Sequence, residues 1–225
     1  MTIRAKLYAA IVLTVLGPIA TTAVALNGMS ELGDRFDQVQ ERAEHESIAR
    51  ELKFAVTDVN GWQTAYGYDN GRSRPRFVRE ANGLRADLGA AADTLTDPQE
   101  RVLLERLRRQ FDGFMRLDAV AWDALQEGDR ARVRQIFLGP EIRRFESMAA
   151  TADRLAAYET RRVADTDTAF DDARDDARRR LIAVALGAGI VIILLLFAAN
   201  DIARMALEGE RAKGRRPEPP GAGPS

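Results

Sequence analysis

Apolar residues fall into two patterns along this chain: unbroken runs near its two ends, and steps of three and four everywhere between them. Leu7 to Leu26 (LYAAIVLTVLGPIATTAVAL) and Leu181 to Ala199 (LIAVALGAGIVIILLLFAA) carry no charged residue. Each is about 20 residues, the length with which a helix crosses a bilayer. No other stretch is apolar enough to span. The predicted organisation is therefore a cytoplasmic start at 1–6, a transmembrane helix at 7–26, an extracytoplasmic domain at 27–180, a second transmembrane helix at 181–199 and a short, partly disordered cytoplasmic tail at 200–225. This makes it a multi-pass protein of the inner (plasma) membrane. The first run also reads as a signal peptide: Arg4 and Lys6 make a basic start, Gly17-Pro18 closes a short apolar core, and Ala23-Val24-Ala25 has the form of a cleavage site.

Between the runs every segment has helical period and none alternates like a strand. Met29, Leu32, Phe36, Val39 and Ala43 step by three and four; after a slip at Glu44 to Ser47 the stepping resumes with Leu52, Ala55, Val59, Trp62 and Tyr66. A second helix carries the heptad Phe77, Ala81, Leu84, Leu88, Ala91, Leu95. Asp97-Pro98-Gln99-Glu100 then reads as an N-cap, a first-turn proline and a capping box. The third helix follows Leu107, Phe111, Phe114, Ala121 and Leu125, with Asp118 in a slot that expects an apolar residue and Leu117 available to take it. Gly128 ends that helix, a short turn with Val133, Ile136 and Phe137 follows, and Gly139-Pro140 closes the turn. A fourth helix then runs from Pro140 into the second apolar run. The fold class predicted is all-α, an extracytoplasmic up-down-up-down four-helix bundle flanked by two transmembrane helices.

At 1.5 Å per residue the first and fourth helices reach about 60 Å, the third about 45 Å and the second about 35 Å. The outer pair therefore extends as a two-helix stalk, with Met29 to Ala43 opposite Val163 to Ala177. A two-helix stalk leaves Met29, Leu32, Phe36 and Val39 uncovered, which predicts a dimer seam along the first helix.

Charge sets the remaining limits. Arg4 and Lys6 before the first run, and Arg204, Arg211, Lys213, Arg215 and Arg216 after the second, place both termini in the cytoplasm, while Arg178, Arg179 and Arg180 argue the other way. Residues 27–180 hold 26 basic and 30 acidic side chains with the signs interspersed, so no basic stripe is left for nucleic acid. RLRR (Arg106 to Arg109) and DDARDDARRR (Asp171 to Arg180) read as solvated faces with ion pairs between neighbouring turns. Cysteine is absent, so no disulfide framework exists. The single histidine, His45, reads as a solvated residue between Glu44 and Glu46. No Ser/His/Asp arrangement or metal-ligand spacing is present, which predicts no enzyme, no metal and no cofactor.

The order of these pieces, together with LKFAVTDVNGWQTAYGYD (Leu52 to Asp69) and 30 Arg against 3 Lys, resembles the sensor half of bacterial methyl-accepting chemotaxis receptors and related sensor histidine kinases. The likeness covers about Met1 to Arg204. It departs after Ala199, where 26 residues remain, ending in PEPPGAGPS. These are too few for a HAMP module or a transmitter. The resemblance implies a membrane-anchored chemoreceptor-like sensor for signal transduction or chemotaxis, acting as a homodimer or with a full-length receptor homologue. The alternative is a membrane-anchored helical scaffold with no small ligand.

One window stands out from the Ala, Leu, Arg and Asp around it: NGWQTAYGYDNGRSRPRF, Asn60 to Phe77. By helical count it lies at the membrane-distal tip. One reading is that Trp62 and Tyr66 plug the end of the bundle, Asn60-Gly61 is a close-packing spot, and Asn70-Gly71 with Pro75 makes the turn. The other is a ligand site, in which Asn60, Trp62, Gln63 and Tyr66 orient a small molecule and Arg72, Arg74 and Arg76 hold its carboxylate or phosphate. The resemblance implies an organic acid or amino acid at this end.

Overall fold

The computed structural model describes residues 3–213, with side chains at 12, 14–197, 199–200 and 203–204. All regular structure among them is helical: α1 (Ile3–Tyr68), α2 (Arg74–Thr94), α3 (Pro98–Gln126), α4 (Arg130–Ile136), one π-helical turn (Phe137–Glu141) and α5 (Ile142–Lys213). The tail from 214 onward, with Arg215, Arg216 and PEPPGAGPS, lies outside the described residues. The chain divides into two compact units, one spanning Arg35–Phe170 and the other made of what precedes Asp34 and follows Asp171, both ends included. The boundary thus falls inside the predicted 27–180 domain.

The Arg35–Phe170 unit is a bundle whose single apolar cluster draws on four helices. α1 supplies Ala49, Leu52, Val56, Val59 and Tyr66; α2 supplies Phe77, Ala81, Leu84, Leu88 and Ala91; α3 supplies Leu103, Leu104, Leu107, Phe111 and Phe114; α5 supplies Met148, Ala152 and Leu155. The heptad of α2 is buried at every position foreseen, Leu95 included. Burying a large side chain of this kind contributes roughly 1.5–3 kcal/mol, which is what holds a cysteine-free bundle together.

In α1 the buried series is His45, Ala49, Leu52, Val56, Val59, Gln63, Tyr66, a strict alternation of four and three. Leu52, Val59 and Tyr66 belong equally to the expected frame. Ala55 and Trp62 do not enter the stripe; they sit half-buried at its edge, and Val56 and Gln63 take the interior places. His45 is likewise not solvated. It is 2% exposed and occupies the first core slot of the bundle, so the slip at Glu44 to Ser47 is where this buried frame begins. α1 is unbroken there.

Turn chemistry follows the residues. Asp97 Oδ1 accepts the Gln99 N–H at 2.8 Å and Glu100 Oε2 accepts the Asp97 N–H at 2.9 Å, completing the capping box with Pro98 in the first turn. Asn70 and Gly71 take positive φ of 58° and 90° between α1 and α2. At Gly71 a Cβ would lie 2.9 Å from Trp122, so both backbone and space demand glycine. Gly139-Pro140 does not close a turn, contrary to the sequence reading. Pro140 has no N–H to give the helical ladder, and the chain absorbs this with the π-turn, in which the Ile142 N–H reaches back five residues to the Phe137 carbonyl before α-helix resumes. The wider turn brings Glu141 inside, 1% exposed.

In the other unit the opening stretch of α1 and the closing stretch of α5 come together near Gly28 and Ala177, with Arg180 Nη1 3.8 Å from Glu31. Pro18 is accommodated within α1, where the Thr21 hydroxyl bonds the Gly17 carbonyl at 2.9 Å. Among the described residues one helical stretch, Arg130–Phe197, is long and apolar enough to cross a membrane, and its most apolar window is not buried at all. Leu16, Leu26, Leu194, Leu196 and Phe197 are each more than half exposed.

Candidate functional site

A core slot filled by a charged residue needs a compensating partner, and Asp118 supplies the test. Leu117 does not replace it: Asp118 is 1% exposed in the series Leu107, Phe111, Phe114, Asp118, Ala121. Its Oδ1 accepts the Tyr66 hydroxyl at 2.6 Å, Arg74 Nη1 at 2.7 Å and Gln63 Nε2 at 3.2 Å. The Gln63 amide also donates to Glu141 Oε1. Four elements thus meet in one polar layer: α1 through Gln63 and Tyr66, the first residue of α2 through Arg74, α3 through Asp118, and the π-turn through Glu141.

Aromatic rings enclose the layer. Tyr66 makes edge-to-face contacts with Phe77, Trp122 and Phe137 at centroid distances of 5.4, 5.7 and 5.9 Å. The Arg74 guanidinium lies 4.6–4.8 Å from the ring centroids of Tyr66, Phe77 and Trp122, a stacked setting that suits a planar cation in a dry environment.

The electrostatics are unequal across the layer. Arg74 and Asp118 neutralise each other at 2.7 Å. Glu141 has no such partner among the described residues. Burial, reinforced by the Asp118 charge, pushes its carboxyl up to about 8, and its Oε2 is buried with no hydrogen-bond partner among the described residues. Tyr66 is held protonated by the same burial and by Asp118.

Glu141 also lines a cleft of about 530 Å³ bounded by α1, α4 and the π-turn. Asn60, Gln63, Thr64 and Gly67 of α1 line it, Phe137 and Leu138 supply apolar surface, and Arg130 and Arg134 of α4 line it as well. The size and the mixture of apolar wall with a few polar groups fit a small-molecule pocket. Gly67 is required here, because a Cβ would run into the Phe137 ring.

Of the residues singled out in the sequence, Asn60 and Gln63 reach this cleft, while Tyr66 and Arg74 belong to the buried layer behind it. Trp62 is half-buried beneath the Arg76 guanidinium, 4.7 Å from its ring centre. Arg72 is exposed. The three arginines therefore do not form one anion fork: Arg74 is committed to Asp118 and Arg76 to Trp62. Gly61 is exposed with no atom near it, which removes the close-packing reading. Asp118, Glu141, Arg130 and Arg134 were not singled out as site residues. The apolar-frame violation at Asp118 was the one available signal, and following it to a buried partner leads to Gln63 and from there to Glu141. Of the expected seam, Met29 and Phe36 are 71% and 57% exposed, and Leu32 and Val39 are half-buried.

No protein-family model, curated protein or solved structure matches this chain.

Proposed function

We propose that this chain is a membrane-anchored sensor module that takes a small organic acid or amino acid in the cleft between α1, α4 and the π-turn, and that it is the sensor-type half of a chemoreceptor-like signalling protein. The observation that carries this reading is Glu141, a buried carboxyl with an unpartnered oxygen at the wall of a pocket-sized cleft that two arginines also line. A ligand ammonium at Glu141, taking the place of the carboxyl's proton, and a carboxylate at Arg130 and Arg134 would satisfy both ends of a zwitterion, and Phe137 offers apolar surface for its side chain. The polar layer behind the cleft gives that carboxyl a fixed orientation. π-turns of this kind occur often at functional sites, and this one leads directly into α5, which is continuous from Ile142 to Lys213. A small displacement of α5 on binding is the proposed signal. In this reading Leu7–Leu26 and Leu181–Ala199 are the anchors in the inner membrane and the bundle is extracytoplasmic.

Melting curves of the full-length protein in detergent, screened against amino acids and organic acids, test the proposal, since a compound that binds only the folded state raises its stability. At least one compound is expected to raise the melting temperature, and Glu141→Gln or Arg134→Ala is expected to remove that rise. If no compound shifts the wild type, or if the shift survives both substitutions, the cleft is not the site.

A second reading has its own observation. Phe36 and Phe54 of α1 lie 18 residues apart, five whole turns, and are 57% and 66% exposed. Such a face on a helical bundle suits self-association, and a homodimer through α1 is compatible with either a sensor or a scaffold.

A further inference from the structure

The end of the bundle opposite the α1–α2 turn holds a second set of buried polar residues that the cleft does not use. The only histidine of the chain, His45, is 2% exposed, and Glu100 of α3 and Glu159 of α5 are each 0% exposed. One ligand atom from each of the three lies within 4.8 Å of the others. Glu100 is positioned from several directions. Its Oε2 accepts the Asp97 N–H at 2.9 Å, while its Oε1 meets His45 Nδ1 at 3.0 Å, Arg162 Nη1 at 2.8 Å and, more distantly, Arg42 Nη1 at 3.7 Å. Glu159 is different. Both of its carboxylate oxygens are buried and neither has a hydrogen-bond donor among the described residues.

Two adjacent buried carboxylates cannot donate to each other; the pair closes only around a shared proton or a cation. The charged groups facing the site are the acids Glu41, Asp97, Glu100 and Glu159 and the bases Arg42 and Arg162. The two arginines are turned to Glu100 and Asp97, and neither hydrogen-bonds Glu159. We infer that His45, Glu100 and Glu159 bind one divalent first-row transition ion of the zinc type.

The donor set favours such an ion over calcium or magnesium, which prefer all-oxygen cages with more ligands. Tetrahedral zinc with bonds of about 2.0–2.2 Å sets its ligand atoms about 3.3–3.6 Å apart, so the three side chains, whose ligand atoms lie within 4.8 Å of one another, close in by about 1 Å around the ion. The ion would occupy the place of a proton between His45 Nδ1 and Glu100 Oε1, with the imidazole bound through Nδ1 and its ring proton on Nε2, which faces Glu41 at 3.9 Å. Arg162 and the Asp97 N–H continue to hold the Glu100 carboxylate, the kind of outer hydrogen bond that orients a metal-binding carboxylate. The ion would link α1, α3 and α5 at a site independent of the cleft, and the inference does not depend on the ligand proposed there.

A chain with one histidine and no cysteine gives an unambiguous readout. The full-length protein in detergent, labelled with ¹⁵N-histidine, is titrated with Zn²⁺ while the imidazole resonances are followed, and Co²⁺ is added in parallel for its visible absorption. The expected result is a saturable shift of the His45 resonances at one equivalent, a Co²⁺ band at the same stoichiometry, and a rise in melting temperature. Glu159→Gln preserves shape and removes a charged ligand. It is expected to weaken binding by about 100-fold or more while the metal-free protein still melts cooperatively. Unmoved His45 resonances at excess Zn²⁺ would overturn the site, and so would a shift that persists unchanged in E159Q. Should E159Q fail to fold, the wild-type titration decides alone.

Discussion

Asp118 Oδ1 receives three donors, from Tyr66, Arg74 and Gln63, so this polar layer is sensitive to single atoms. Tyr66→Phe removes one charge-assisted hydrogen bond without opening space, and a loss of about 1.5–3 kcal/mol in denaturant unfolding is expected. Asp118→Ala strips Arg74 of its counter-ion inside an aromatic enclosure and should cost more, about 3–5 kcal/mol; a smaller loss than in Tyr66→Phe would mean that Arg74 swings to water. Glu141 makes stability depend on pH in a stated direction. Its carboxyl titrates at about 8 when folded against an ordinary 4.5. Below about 4.5 both states are protonated and the stabilisation is complete. Between those values only the unfolded chain gives up its proton, so stability falls as pH rises, and above about 8 the loss is complete. Melting temperatures recorded from pH 5 to 9 should show this decline in the wild type and a flatter profile in Glu141→Gln; identical profiles would place Glu141 in contact with solvent. Part of this site was legible beforehand. Gln63, Tyr66 and Arg74 stand out in a window of unusual composition, and Asp118 stands out as a charged residue in an apolar series. Glu141 was not legible, because its burial comes from the wide turn at Pro140, and proline in a sequence does not say whether the chain will stop or bulge.

At the scale of elements, the periodicity of α2 and the capping box of α3 carried over without change, since each depends on neighbours within one or two turns. Leu84→Ala, in the middle of the α2 stripe and 1% exposed, is expected to cost about 2–5 kcal/mol through the cavity it leaves. Denaturant unfolding of the intact protein measures this, and a cost under about 1 kcal/mol would mean that α2 is not integral to the core. α1 was harder to read. Leu52, Val59 and Tyr66 are common to two frames, and choosing Trp62 for its size brings in Ala55, seven residues before it, in the same frame. The structure selects Val56 and Gln63, because Asp118 and Glu141 offer the Gln63 amide acceptors that the sequence of α1 cannot reveal. His45 was misread for the same reason: Glu44 is exposed and Glu46 is taken by Thr160 and Arg50, while the partner of His45, Glu100, lies 55 residues away.

At the scale of the molecule, the exposed apolar residues give two expectations. Cysteine at Phe36, in a background with none, should cross-link two copies in native membranes, and a lack of cross-linking there and at neighbouring exposed positions would leave a monomer. The second concerns the central claim, that the cleft is a ligand site on the outer side of a membrane. Thr64 is exposed on the cleft wall. With Thr64→Cys in intact cells, the measurement is the rate of labelling by a membrane-impermeant maleimide, with and without a compound that raises the melting temperature. The account predicts labelling without disrupting the membrane, slowed severalfold by the compound. Labelling only after permeabilisation, or at a rate no such compound alters, would contradict it.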